Sequence, residues 1–193
     1  MKRLAVFVSG NGSNFEAIAE GCRSGAVVDA EVVLCVCDKA GAYALERAKK
    51  FGVPTLVFNP KEFASKRDFE RMIADRMDAE GVDLVCLAGY MRIVGDELLE
   101  RYGGRIVNIH PALLPAFPGA HAIEDAFKYG VKVYGVTIHE VDATLDGGKI
   151  ISQVAVPYEG DDIDELETMI HKAEHKLYIE TINKINKDNE SVS

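Results

Sequence analysis

The sequence predicts an α/β fold: a Rossmann-like, mostly parallel twisted sheet with helices on both faces and an antiparallel strand pair in the C-terminal half. Three observations predict it. Short apolar, β-branched runs alternate with amphipathic stretches through the first hundred residues. Those runs are continuously apolar, as strands covered on both faces are. Further on, two strand-like runs flank one loop rich in Asp and Gly, the arrangement of an antiparallel pair.

Taken in order, residues 4–8 (Leu-Ala-Val-Phe-Val) read as a fully buried strand, followed by a Gly/Ser/Asn loop and a helix from about Asn14. Residues 31–37 read as a second buried strand, and 40–51 as a helix ended by Gly52 and Pro54. A short run at 55–58 precedes a long charged helix over 62–79, stopped by Gly81. Residues 82–88 form another buried strand, Gly89-Tyr90-Met91-Arg92 turn the chain, and a helix is expected near 95–102. Residues 105–109 are a short strand that runs into His110-Pro111.

The second half changes character. Residues 110–121, with Pro111, Pro115, Pro118 and Gly119, read as loop. Tyr134, Val136 and Ile138 alternate with Val133, Gly135, Thr137 and His139, which suits a half-buried strand. Residues 149–156 are its expected antiparallel partner around the loop 142–148. Residues 161–185 read as a capped terminal helix and 186–193 as a frayed polar tail. No repeat or linker interrupts the chain, so a single domain over 1–193 is expected, in keeping with a length prior of roughly 150 residues per domain.

Composition narrows the classes of function. At 48% hydrophobic and 27% charged residues, the chain is an ordinary globular protein and not a disordered one. A net charge of −9 argues against a nucleic-acid surface, which needs clustered Lys and Arg. Anionic ligands would therefore be held by local dipoles and a few cations. Cys22, Cys35, Cys37 and Cys86 are too few and too scattered for a disulfide scaffold, and Cys35 and Cys37 share one face of a strand as buried, reduced thiols. The apolar core after Lys2-Arg3 is too short for a signal peptide, and no stretch approaches the ~20 apolar residues of a membrane span, so a cytoplasmic location is expected.

Four motifs carry chemistry. Ser9-Gly10-Asn11-Gly12-Ser13-Asn14 joins the first strand to the first helix, where glycines let backbone amides and a helix N-terminus face a bound anion. No Gly-Lys-Ser/Thr follows, so it is not a P-loop, and Phe15 replaces the third glycine of a dinucleotide fingerprint. The bland reading is a capped strand-to-helix turn. Asn108-Ile109-His110-Pro111 ends a parallel strand, where open α/β sheets place ligands. Residues two apart point the same way, so an amide donor and an imidazole can converge on one atom, there to hold an oxyanion and move a proton. A lone histidine is otherwise structural. In Asp142-Ala143-Thr144-Leu145-Asp146-Gly147-Gly148, one carboxylate could orient His110, or Asp and Gly could merely close a hairpin. His171-Lys172-Ala173-Glu174-His175 spells H-x-x-E-H, but a zinc site needs a further ligand, so it is read as a solvated or substrate-facing helix turn.

Together these segments resemble the phosphoribosylglycinamide formyltransferases, folate-dependent enzymes of purine synthesis. The resemblance is carried by Ser9 to Asn14, Leu45-Glu46-Arg47-Ala48, residues 87–93 (Leu-Ala-Gly-Tyr-Met-Arg-Ile), residues 108–115, Pro118-Gly119, residues 145–148 and Glu174-His175, in family order over nearly the whole chain. It implies transfer of a formyl group from 10-formyltetrahydrofolate, as cosubstrate, to the amine of glycinamide ribonucleotide, with no metal. By matching position it implies Asn108, His110 and Asp146 as the catalytic set. Gly12, Ser13 and Asn14 would cradle the ribonucleotide phosphate, with His171, Lys172, Ala173 and Glu174 touching the same substrate. Met91, Arg92, Ile93 and Val94, Asn108, and the loop Asp142, Ala143, Thr144, Leu145 and Asp146 would form the folate pocket, with Lys66 or Arg67 meeting the cosubstrate and alignment on Phe69 favouring Lys66. Residues 1–100 would thus be a phosphate-binding half and 101–193 a catalytic and folate-loop half. Ala112 and Asp38 stand where serine and asparagine are common in the family.

The expected partners are those two small molecules, with neither nucleic acid nor membrane, in a monomer or homodimer. A formyltetrahydrofolate hydrolase or a methionyl-tRNA formyltransferase shares the Asn-His-Asp site but usually carries a further domain, and the acidic balance disfavours tRNA. A non-catalytic nucleotide or folate sensor should have lost one catalytic group, and none is missing.

Overall fold

A computed structural model describes residues 1–190 of the chain. Strands β1 (Lys2–Val8), β2 (Ala30–Cys37), β3 (Thr55–Val57), β4 (Leu84–Leu87) and β5 (Ile106–His110) are parallel, and β6 (Val133–Glu140) and β7 (Ile150–Pro157) run antiparallel to their neighbours. They form one sheet in the order β3-β2-β1-β4-β5-β6-β7. The helices are α1 (Ser13–Ser24), α2 (Ala44–Lys50), α3 (Lys66–Ala79), α4 (Asp96–Tyr102), α5 (Ala122–Tyr129) and α6 (Ile163–Glu190).

The continuous apolar runs have the expected physical cause, which is burial on both faces. Along β1, Leu4, Val6 and Val8 pack on one side with Phe15 and Ile18 of α1 and with Ile170, Leu177 and Ile182 of α6. Ala5 and Phe7 pack on the other with Phe69, Ile73 and Met77 of α3 and Leu98 and Tyr102 of α4. The Tyr178 hydroxyl, deep in the first core, donates to the Leu87 carbonyl at 2.7 Å and so ties α6 to β4.

Several boundaries differ from the sequence expectation, each for a local reason. The helix expected over 40–51 begins only at Ala44, because the Ala42 amide closes a turn on the Lys39 carbonyl and the Ala44 amide donates to Gly10. The helix expected over 62–79 is split into a 3-10 turn at Pro60–Glu62 and α3, whose N-cap Ser65 accepts from the Asp68 amide. The tail expected to fray from 186 stays helical to Glu190, since Asn183 and Asn186 donate to the Ala26 and Val28 carbonyls of the loop before β2. The rest of that expected tail, 191–193, lies outside the described residues. Helix α5 has no counterpart in the sequence reading; Gly130, with positive φ, ends it.

Strand β6 corrects the expectation most. It is not half-buried: every residue from Tyr134 to His139 is buried. Tyr134, Val136 and Ile138 face the core under α6, while the 111–117 loop lies over the other face. The Thr137 hydroxyl donates to the Ala112 carbonyl and accepts from the Leu114 amide, and Gln153 of β7 donates to the Leu114 carbonyl. Gly135 lets that loop approach, because a Cβ there would overlap the Leu113 side chain and the Val154 carbonyl. Gly135→Ala should therefore lower unfolding stability by roughly 1–3 kcal/mol, read as a shift in urea midpoint at constant m-value.

Candidate active site

After β1 the chain crosses to β2 on one side, and after β3 it returns to β4 on the other, so the crevice between the carboxyl ends of β1 and β4 is the topological switch point. A cavity of about 540 Å³ opens there. The loop after β1, the loop after β4, the end of β5, the 142–146 loop and one turn of α6 line it.

The β1 loop offers backbone dipoles. Gly12 sits at the N-cap of α1 with φ 77°, and no side chain among the described residues caps that end, so the leading amides of α1 face the cavity uncapped. A side chain at Gly12 would overlap Ala44, which explains the glycine sterically as well as conformationally. Arg47 holds the loop in place through the Asn11 carbonyl and side-chain oxygen, both at 2.9 Å. Across the cradle, the buried Glu174 carboxylate accepts from His171 Nδ1 at 2.8 Å and from Asn14 Nδ2 at 3.4 Å. That bond to Glu174 holds the His171 pKa above its ordinary 6.5, whereas desolvation by burial lowers that of His175.

The chemically richest cluster lies at the end of β5. His110 Nε2 is 2.8 Å from the Phe117 carbonyl, which can only accept, so Nε2 carries a proton and Nδ1 is the nitrogen left for the site. Asp146 Oδ2 stands 3.7 Å from that Nδ1, and Asp146 Oδ1 stands 3.7 Å from Nε2 of His139. The carboxylate is anchored by the Gly119 amide, 2.8 Å from Oδ2. Asn108 Nδ2 is 3.3 Å from His139 Nε2, its neighbour in the β5–β6 register. Phe117 and Asp146 both have φ near +50°, a conformation that costs a side-chain-bearing residue roughly 1–3 kcal/mol and gathers at functional sites. Of the two carboxylates the sequence left open, Asp146 meets His110, while Asp142 folds back on the Thr144 amide at 2.8 Å.

The remaining wall comes from residues 91–94 and the 142–146 loop. The Met91 amide donates to Ser9 Oγ, the Arg92 guanidinium pairs with the buried Asp38 at 2.7 Å, and the Gly95 amide donates to the buried Glu70. Met91, Ile93 and Leu145 nevertheless stay about two-thirds exposed, at 66%, 67% and 65%. Lys66, Ala143, Lys172 and Ala173 are not among the lining residues; Lys66 instead stands 3.9 Å from Glu70, and Arg67 bonds Glu97. Among the described residues, no three His, Cys, Asp or Glu side chains gather in a way that could hold a metal ion.

Residues 2–182 match the formyl transferase family. The chain is 49% identical over 186 residues to phosphoribosylglycinamide formyltransferase of Bacillus subtilis (strain 168), covering 96% of this chain and 95% of that one. The chain belongs to the phosphoribosylglycinamide formyltransferase family. The crystal structure of phosphoribosylglycinamide formyltransferase from Streptococcus pneumoniae TIGR4 superposes with a TM-score of 0.89 at 52% identity, over 96% of this chain and 99% of that one. Glycinamide ribonucleotide transformylase 1 from Geobacillus kaustophilus gives 0.93 at 48% identity, over 96% and 98%. This formyltransferase is therefore an enzyme with the α/β architecture of its relatives.

Sequence reasoning missed two parts of the site. The half-buried strand expected at 133–139 gives His139 no part in the site, although its period-two spacing with Thr137 is the available signal. The role of the Phe117 and Gly119 backbone had no signal beyond the proline-rich loop. For the charged turn of α6, a histidine NMR titration should show His171 titrating above 6.5 and His175 below it. Glu174→Gln should return His171 toward 6.5. Because the His171 pKa is raised in the folded protein, its stabilising contribution is full below pH 6.5 and is lost as pH rises through the folded value.

Proposed function

We propose that this formyltransferase moves the formyl group of 10-formyltetrahydrofolate to the amine of glycinamide ribonucleotide, a step of purine biosynthesis. The observation that carries this reading is the joining, in one cavity, of an uncapped helix N-terminus to an Asn-His-Asp cluster at the end of a parallel strand. The first suits a phosphate and the second suits acyl transfer to a nucleophile. The exposed Met91, Ile93 and Leu145 side chains suit the flat ring system of a folate.

When bound, the folate supplies the formyl group, whose carbonyl carbon the substrate amine attacks. The carbonyl oxygen gathers negative charge as that bond forms. Asn108 Nδ2–H and a protonated His110 Nδ1–H are the donors that would hold it. The bond from His110 Nε2 to the Phe117 carbonyl orients the ring. Asp146 lies beyond direct hydrogen-bond distance of His110 in this state and stands beside it as a fixed carboxylate. As the amine nitrogen becomes an amide, it gives up one proton, which Asp146 and His110 are placed to pass toward the departing folate nitrogen. The acidic chain can still hold a phosphate because the amides of α1 act at contact, while exposed charges more than ~8 Å away are screened.

Formyl transfer between these two substrates, followed as consumption of 10-formyltetrahydrofolate without added metal, is the direct test; no transfer would overturn the reading. Asn108→Ala should lower kcat about 100- to 1000-fold, the usual cost of one lost oxyanion donor. Gly12→Ala should instead act on ribonucleotide binding, raising its KM roughly tenfold or more, about 1.4 kcal/mol, with a smaller change in kcat.

A further inference from the structure

His139 has no part in the chemistry above, yet it touches two members of the cluster. It is 2% exposed and lies directly across from Asn108 in the antiparallel register. Its Nδ1 is 2.9 Å from the Glu140 carbonyl. A carbonyl can only accept, so Nδ1 carries the proton, and Nε2 of the neutral ring is an acceptor. Asn108 Nδ2, at 3.3 Å, is the donor that meets it.

The consequence concerns Asn108. The two ends of a carboxamide differ little in shape and differ completely in hydrogen bonding, and a half-turn about the terminal torsion exchanges them. An Asn108 turned that way would present Oδ1, an acceptor, to a developing oxyanion. His139 Nε2 bonds only the NH₂ end. Since both side chains line the cavity, the nitrogen so held keeps a second N–H for the substrate. The same ring decides how Asp146 is used. Its Nε2 lone pair, 3.7 Å from Asp146 Oδ1, offers that oxygen no proton, which leaves the carboxylate charge to His110.

We infer that His139 is a positioning residue whose Nδ1–H tautomer sets the orientation of the Asn108 amide and reserves Asp146 for His110. This rests on the oxyanion role proposed for Asn108. His139→Phe keeps a ring of similar size and removes the acceptor; it should lower kcat about 100-fold, as a misplaced reacting group does, while leaving KM for both substrates near the parent's. His139→Gln, which can accept from Asn108 again, should recover most of that loss. In the Asn108→Ala background, His139→Phe should cost little more, because the group it positions is already gone. Ring-nitrogen NMR of the unmodified protein should report the Nδ1–H tautomer for His139, a readout that stands even if the variants fold poorly. The inference is overturned by an Nε2–H tautomer, by a Gln variant no better than Phe, or by a full His139→Phe penalty in the absence of Asn108. A harmless Asn108→Ala, by contrast, would remove the oxyanion reading itself.

Discussion

One carboxylate between two imidazoles organises this site. Asp146 stands at 3.7 Å from a ring nitrogen of His110 and at 3.7 Å from one of His139, held there by the Gly119 amide. Neither contact is a short hydrogen bond, so the carboxylate keeps acceptor capacity. The two rings are distinguished by what each holds on its far side. Phe117 fixes the proton on Nε2 of His110, and Glu140 fixes it on Nδ1 of His139. Two backbone carbonyls therefore decide which nitrogens face the carboxylate.

The fold delivers these groups by ordinary sheet geometry. Parallel β5 brings Asn108 and His110 to the switch-point crevice on one face, with Val107 and Ile109 in the core on the other. Antiparallel β6 then sets His139 beside Asn108. The 111–117 loop that supplies the Phe117 carbonyl is pinned to β6 and β7 by Thr137 and Gln153. Local amphipathic or apolar character alone would satisfy none of these roles, so the buried polar residues of β6 and β7 belong to the site's support.

The parallel half was legible because burial on both faces writes itself as uninterrupted runs such as Leu4 to Val8. The first-loop glycines and the Asn108/His110 pair were legible from spacing and from position at strand ends. What could not be read was any feature set by contact between distant segments. Period two on β6 reads as a half-buried strand because nothing local announces that the 111–117 loop will cover Gly135 and Thr137. The choice between Asp142 and Asp146 depended on which carboxylate finds an amide across a gap in sequence, and Gly119 lies 27 residues from Asp146. Residues from Asn186 onward read as a polar tail for the same reason: the partners that hold this end of α6, the Ala26 and Val28 carbonyls bonded by Asn183 and Asn186, sit at the opposite end of the chain.

The left-handed backbone at Phe117 bears on how such a protein tolerates change. Glycine there would relieve the steric conflict of an aromatic residue at φ 51° and would widen the conformations open to the unfolded chain. It would also free the carbonyl that orients His110 to wander. The two effects on stability oppose one another, so an unfavourable torsion can persist at this one position, where it keeps an imidazole aimed.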